Sequence, residues 1–227
     1  MRIALIRPGM GGHYHSLACL EPQSLAILAS LTPLDVEAVA YDDRFEPIPY
    51  DEPWDLVALS VGTFQARRAY EIAEKFRRLR VPVVLGGFHP TLCQDEAQQH
   101  ADAVAVGEAE GLWPTIVKDA RNGSLRPIYK HNSPVQLDGF IPNRNTLIKK
   151  RYLPLSLIQF GRGCQHNCDF CSVRAFYQGP PHRRPVQDIV VEIQQKGHRW
   201  VYFVDDNFLT DRQKAKELLE ALIPLKL

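Results

Sequence analysis

The sequence predicts an α/β protein built on an open, doubly wound, parallel five-stranded sheet, with further strand-and-helix units after it. Three observations carry this. Residues 1–120 alternate short apolar runs with longer amphipathic ones. Small residues end the third, fourth and fifth apolar runs. The same rhythm resumes near residue 155 after an irregular stretch.

The expected strands, in order, are Ile3 to Arg7, Val36 to Tyr41, Leu56 to Val61, Pro82 to Leu85 and Ala103 to Val106, each a short run of mainly apolar residues. Amphipathic stretches between and after them give helices near Gln23 to Leu31, Phe64 to Leu79, Leu92 to Gln99 and Leu112 to Arg121. Sheets of this kind bind ligands beyond the carboxyl ends of their strands. There the chain places Ser60, Gly62 and Thr63, then Gly86 and Gly87, then Gly107 and Glu108. Glycine lets a bulky ligand approach the backbone, and helix amino termini favour phosphate, so this edge suits a large cofactor with a phosphate in its tail. The same residues serve equally well as ordinary turns. Glu108 would bond a cofactor amide or ribose hydroxyl, or cap a helix. No G-x-G-x-x-G follows the first strand, which disfavours an ordinary dinucleotide fold; Gly9-Met-Gly11-Gly12 reads as a flexible loop.

Periodicity loosens from about Gly123 to Pro154, where Pro134, Pro142, Asn143 and Asn145 interrupt it. Segment 126–154 is therefore expected to link a domain at 1–125 to a unit at 155–227, with Leu125 to Tyr129 as a candidate short strand. In the later unit the strand Leu155 to Phe160 leads into a loop. A helix from Val186 to Lys196, a strand from Trp200 to Val204 and a helix from Asp211 to Leu222 follow.

That loop, Gly161-Arg-Gly-Cys164-Gln-His-Asn-Cys168-Asp-Phe-Cys171-Ser, carries three cysteines spaced C-x3-C-x2-C. Thiolates this close in sequence can converge on one soft metal centre, and three of them leave one iron of a four-iron cluster without a protein ligand. Zinc would need a fourth ligand such as His182, and structural zinc sites usually arrive as two separated ligand pairs. His166, inside the loop, is poorly placed to turn inward. A disulfide framework is disfavoured because the chain has five cysteines, an odd number, and its start is too soon interrupted by Pro8 for a secretory signal. A reducing, cytoplasmic location is expected. Cys19 and Cys93 have no clustered partners and read as semi-buried thiols.

The cysteine loop, the apolar strand before it and the aromatic Phe170 beside its last cysteine resemble the signature of radical S-adenosylmethionine (SAM) enzymes. The resemblance implies that Cys164, Cys168 and Cys171 ligate a [4Fe-4S] cluster whose remaining iron chelates SAM. It also implies that Phe170 flanks the adenine, and that a reductant such as flavodoxin or ferredoxin supplies the electron that splits SAM to a 5'-deoxyadenosyl radical. Asp205, Asp206 and Asn207 stand where that family often bonds the amino group of SAM; paired acids would also cap the next helix, but their strand-end position favours the cofactor.

A second resemblance covers most of the chain. Val83-Val-Leu-Gly-Gly-Phe-His-Pro-Thr91 and Ala101-Asp-Ala-Val-Ala-Val-Gly-Glu-Ala-Glu110 are similar to the flavodoxin-like cobalamin-binding domain that precedes the radical domain in cobalamin-dependent radical SAM proteins. Many vitamin B12 domains supply a cobalt-ligating histidine from D-x-H-x-x-G; in the closest segment here, Asp42 to Pro47, Arg44 takes its place. Cobalamin is thus expected without a protein histidine on its lower face. His89 reads as a turn-shaping residue rather than a cobalt ligand, and His13 and His15 are weaker candidates still.

A formal charge of +1, with 45% hydrophobic and 23% charged residues, indicates no general attraction to nucleic acid or anionic membranes, and no apolar run is long enough to span a bilayer. Lys149-Lys-Arg151 reads as solvated linker charge, and His182-Arg-Arg184 as a local anion contact. Radical domains of this family close six strand-and-helix units and only two are visible here, so a fragment is expected, the alternatives being a barrel completed by another chain or a protein without radical chemistry. The reading is a cobalamin-dependent radical SAM enzyme, of methyl-transfer or radical-rearrangement type, acting on an unknown substrate. The alternative is a non-catalytic corrinoid- or metal-binding module.

Overall fold

A computed structural model describes residues 1–10, 19–131, 135, 137–147 and 152–227. His13, His15, Pro134 and the Lys149-Lys-Arg151 run lie outside the described residues. The chain divides into two units: Met1–Val135 with Asn143–Arg151, and Gln136–Pro142 with Tyr152–Leu227.

The first unit is a parallel sheet formed by β1 (Arg2–Arg7), β2 (Glu37–Asp42), β3 (Leu56–Ser60), β4 (Val83–Gly86), β5 (Ala103–Val106) and β6 (Ile128–Lys130), in the order β2-β1-β3-β4-β5-β6. Its helices are α1 (Gln23–Leu31), α2 (Ala66–Arg78), α3 (Phe88–Leu92), α4 (Gln94–His100) and α5 (Trp113–Arg121). The order of the first five strands is the flavodoxin-like one, with its switch point between β1 and β3. Alternation along each strand loads both faces. Ala4, Ile6, Val57 and Leu59 pack with Ala69, Ile72, Ala73 and Phe76 of α2 and Ala97 of α4. Opposite them, α1 packs on β1 and β2 and against α5. There the Trp113 indole donates to the Thr32 hydroxyl at 2.9 Å. Burying this apolar surface is the main drive for the unit's folding.

The structure corrects the expected sheet by adding a sixth strand to the five foreseen. β6 falls inside the stretch expected as linker and pairs parallel with β5, Ala105 opposite Tyr129. Only one of its three side chains is buried, too short a signal for sequence pattern. The pairing is anchored by Tyr129, whose hydroxyl donates to Asp119 at 2.8 Å. The helix expected at Leu92 to Gln99 is α4, and a separate short helix, α3, precedes it because Cys93 leaves helical geometry at φ −122°, ψ 53°.

In the second unit, β7 (Ser156–Ile158) pairs parallel with β10 (Val201–Phe203), and a short antiparallel pair joins β8 (Gly161–Arg162) to β9 (His182–Arg183). Helices α6 (Ser172–Tyr177), α7 (Val186–Lys196) and α8 (Arg212–Leu222) complete it. Ile158, Phe160, Ile189, Ile193, Leu218 and Leu222 form its core. The β8–β9 pair and α6 are additions to the expected elements.

Candidate functional site

At the carboxyl edge of the first sheet, the ends of β3, β4 and β5 bring together all seven residues expected there. Ser60 is in register with Gly86. The Gly62 amide donates to the Gln65 carboxamide at 2.8 Å, shaping the turn that leads through Thr63 into α2. Gly87 adopts φ +102°, and a Cβ there would lie 2.9 Å from the Val61 carbonyl oxygen, so only glycine fits. Gly107, at φ +93°, would meet nothing within 4 Å: its backbone faces open space. Glu108 follows it, partly buried.

Sequence reasoning did not single out Thr91, which ties these ends together. Its hydroxyl donates to the Gly87 carbonyl at 2.8 Å and accepts from the Gly107 amide at 2.9 Å. Nor did it find the link among the loops after β1 and β2 and helix α2. Asp43 accepts from the Gly9 amide at 2.9 Å and takes two bonds from the Arg68 guanidinium at 2.8 Å each. The hydrogen bond to Asp43 holds the Arg68 guanidinium above its ordinary pKa range. These contacts join residues distant in sequence and have no local signature.

Arg44, at the position of the B12 histidine, is engaged by fully buried Asp42, with bonds of 2.9 and 2.6 Å to its two oxygens. His89 is 5% exposed, and its Nε2 lies 2.9 Å from the Tyr70 hydroxyl.

The cysteine loop lies in the second unit. Cys164, Cys168 and Cys171 line a cavity of about 760 Å³ together with Arg174, Gln178 and Pro181. The Cys171 amide donates to the Cys168 carbonyl at 3.1 Å, and Cys171 precedes the first turn of α6. Among the described residues, the three sulfurs are not part of a group whose ligand atoms all lie within 4.8 Å of one another. A single tetrahedral zinc ion holds its ligand atoms roughly 3.3–3.8 Å apart, whereas a four-iron cluster takes one thiolate on each of three irons. Three soft thiolates lining one cavity suit the cluster. Phe170, 92% exposed, stands beside Cys171. His182 sets its ring edge-on to Tyr177, centroids 6.3 Å apart, and His166 is exposed.

Asp205, Asp206 and Asn207 converge on the loop from the end of β10. Asp205, its side chain 1% exposed, accepts from the Phe160 amide at 3.0 Å and the Gly161 amide at 2.6 Å, with Arg183 at 3.6 Å. Burial pushes its carboxyl pKa up, and those two backbone bonds oppose the rise. Asp206, exposed, accepts from the Gly163 amide at 2.9 Å. The Asn207 carboxamide donates to Cys164 Sγ at 3.3 Å. A Cβ at Gly161 would press on the Arg183 side chain, which would have to shift. Asp211, not Asp205 or Asp206, caps α8. Asn207 caps the short turn Phe208–Thr210 through the Leu209 amide, while Asp205 spends both oxygens on the backbone just before the cysteine loop.

Comparison with known proteins bears on both regions. A family model described as a B12 binding domain matches residues 27–117. The chain is 32% identical, over 88% of its length and 48% of the relative's, to bacteriochlorophyllide d C-8(2)-methyltransferase of Chlorobaculum tepidum. It is 27% identical to the hopanoid C-2 methylase of Rhodopseudomonas palustris, over 91% of its length and 41% of the relative's. A solved structure of TsrM from Kitasatospora setae, a radical S-adenosylmethionine methyltransferase with tryptophan and a SAM analogue bound, superposes with a TM-score of 0.77 at 17% identity, covering 99% of this chain and 51% of that one. Residues 27–117 thus match a B12-binding domain, and most of the chain is similar to these methyltransferases. The TsrM likeness shows the shared fold and extends over both units. The chain spans about half the length of the curated relatives it matches. Among the described residues no helix is long and apolar enough to cross a membrane.

Proposed function

We propose that this chain supplies the cobalamin-binding domain and the cluster-binding segment of a cobalamin-dependent radical SAM methyltransferase. The observation that carries the reading is the joining, in one polypeptide, of a B12-type sheet edge to a three-thiol loop. A second TsrM structure, with cobalamin and a [4Fe-4S] cluster bound, shares the fold at a TM-score of 0.75.

In this reading Cys164, Cys168 and Cys171 hold the cluster, and Phe170, Asp206 and Asn207 face SAM from its rim. Asp205 orients the loop through the Phe160 and Gly161 amides rather than touching SAM. Ser60, Gly62, Thr63, Gly86, Gly87, Gly107 and Glu108 form the edge that takes the corrinoid and its phosphate-bearing tail. Arg44 remains bound to Asp42 and leaves cobalt without a ligand from that segment. When bound, the cluster supplies reductive cleavage of SAM and cobalamin supplies methyl transfer. The protein's part is to position these groups and keep water away. A cytoplasmic location, an electron donor of flavodoxin or ferredoxin type and an unactivated carbon as methyl acceptor complete the proposal.

Anaerobic reconstitution with iron and sulfide, followed by reduction in the presence of SAM, tests it. Broad iron–sulfur absorbance with cleavage of SAM is expected. Preferential uptake of zinc, or a cluster that leaves SAM intact, would favour a non-catalytic metal- or corrinoid-binding module instead. Retention of corrinoid colour after desalting checks the first unit separately.

A further inference from the structure

The segment after β4 carries metal-ligand side chains that the proposed reaction does not use. His89, Cys93 and Glu96 are spaced i, i+4 and i+7, as on one helix face. The helix breaks at Cys93, yet the Cys93 amide still donates to the His89 carbonyl at 2.8 Å and the Ala97 amide to the Cys93 carbonyl at 3.0 Å. The imidazole, thiol and carboxylate ligand atoms therefore stay together, all within 4.8 Å of one another. His89 Nε2 is 3.6 Å from Glu96 Oε1, while Nδ1 of this buried ring has no hydrogen-bond partner.

Access is provided from outside. Glu96, its side chain 53% exposed, lines a cavity of about 350 Å³ with Tyr70 and His100. Tyr70 stacks on His100, ring centroids 3.9 Å apart, and its hydroxyl faces His89.

We propose that His89, Cys93 and Glu96 bind a borderline-soft divalent cation of the zinc class, with the fourth position taken by water or the Tyr70 hydroxyl. One nitrogen, one sulfur and one carboxylate oxygen match that cation's preferences better than those of calcium or magnesium, which take oxygen ligands. The ligand atoms need to draw in to roughly 3.3–3.8 Å, within reach of side-chain rotation at Cys93 and Glu96. Binding requires the Cys93 thiolate, so affinity rises with pH and protons are released. The ion would brace the kink that follows Gly87, and the site stands whether or not the chain handles cobalamin.

The test removes the competing loop thiols by using the full chain with Cys164→Ser, Cys168→Ser and Cys171→Ser. Titration with cadmium is followed by thiolate-to-metal absorbance, and zinc affinity by competition with a chelator. One saturable equivalent is expected, with a zinc Kd of about 1 μM or tighter. Adding Cys93→Ser should abolish the absorbance and weaken zinc binding by on the order of 100-fold; Glu96→Gln should weaken it by about tenfold. Cys19→Ser should change neither. No saturable absorbance, absorbance that survives Cys93→Ser, or absorbance lost with Cys19→Ser would overturn the site and leave a hydrogen-bonded Tyr70–His89–Glu96 cluster. Cys93 is only partly buried and Glu96 is exposed, so these variants decide the matter even where a His89 variant fails to fold.

Discussion

In the first unit the candidate ligand edge is mostly backbone, whereas in the second the candidate metal loop is held by charged and polar side chains. Six parallel strands with helices on both faces fix the ends of β3, β4 and β5. Given that scaffold, glycines with a hydroxyl from Thr91 suffice to shape the edge. The cysteine loop has behind it only the parallel pair β7 and β10 and the two-residue strands β8 and β9. Asp205, Asp206 and Asn207 reach from β10 to the Phe160, Gly161 and Gly163 amides and to the Cys164 sulfur. Where the sheet is wide, backbone conformation does most of the shaping. Where it is narrow, hydrogen bonds from an adjacent strand must do it. A substitution at Asp205 should therefore disturb the cysteine loop, while the first unit should be sensitive chiefly to added Cβ atoms.

The largest expected effect falls on the thiols. Replacing Cys164, Cys168 or Cys171 with alanine removes one of three cluster ligands, and iron content after anaerobic reconstitution should fall to background in each case. Unchanged iron in any of the three would break the comparison at its root. Next comes Gly87→Ala. Its positive φ and the 2.9 Å approach of a Cβ to the Val61 carbonyl should cost about 2–3 kcal/mol in urea unfolding, and corrinoid retention should drop. By contrast Gly107→Ala meets no neighbour and pays only for its φ, so the pair separates crowding from conformation.

Asp205→Asn should follow. A carboxamide can accept from only one of the two amides without turning its own NH2 toward the other, at a cost of about 1–3 kcal/mol and with reduced iron retention. Its pH dependence has a definite sign. The folded-state pKa of Asp205 lies above the ordinary value, so the folded protein binds more protons at intermediate pH. That contribution is complete below the unfolded pKa and is lost as pH rises through the folded one. The stability gap between the wild type and Asp205→Asn should accordingly be wider near pH 4 than near pH 7, as read from urea midpoints. The smallest effect is Asn207→Ala. Losing the N–H···S bond should lower the cluster potential by at most about 40 mV, and losing the Leu209 cap should loosen the turn at Phe208–Thr210, with iron content unchanged.

Much of this was legible beforehand because periodicity reports directly on burial. The parallel strands through β5 read as apolar runs, and helices 23–31 and 186–196 match their expected bounds. β6 was not readable as part of the sheet, since one buried tyrosine among three residues leaves no pattern. The cysteine spacing was readable because its residues are neighbours in the chain. That Asp205 would grip Phe160 and Gly161, 45 and 44 residues away, was not.

Local order along the chain determined the class of fold, the strand-end glycines and the three-thiol motif, because each is written within a few residues of itself. Tertiary structure alone decided how those residues are used. It gave Arg44 to Asp42, buried the His89 ring beside Tyr70 and Glu96, and turned Asp205 toward the loop backbone. The physical reason is that hydrogen bonds and desolvation act between groups brought close in space, and the separation of those groups in sequence carries no trace of them.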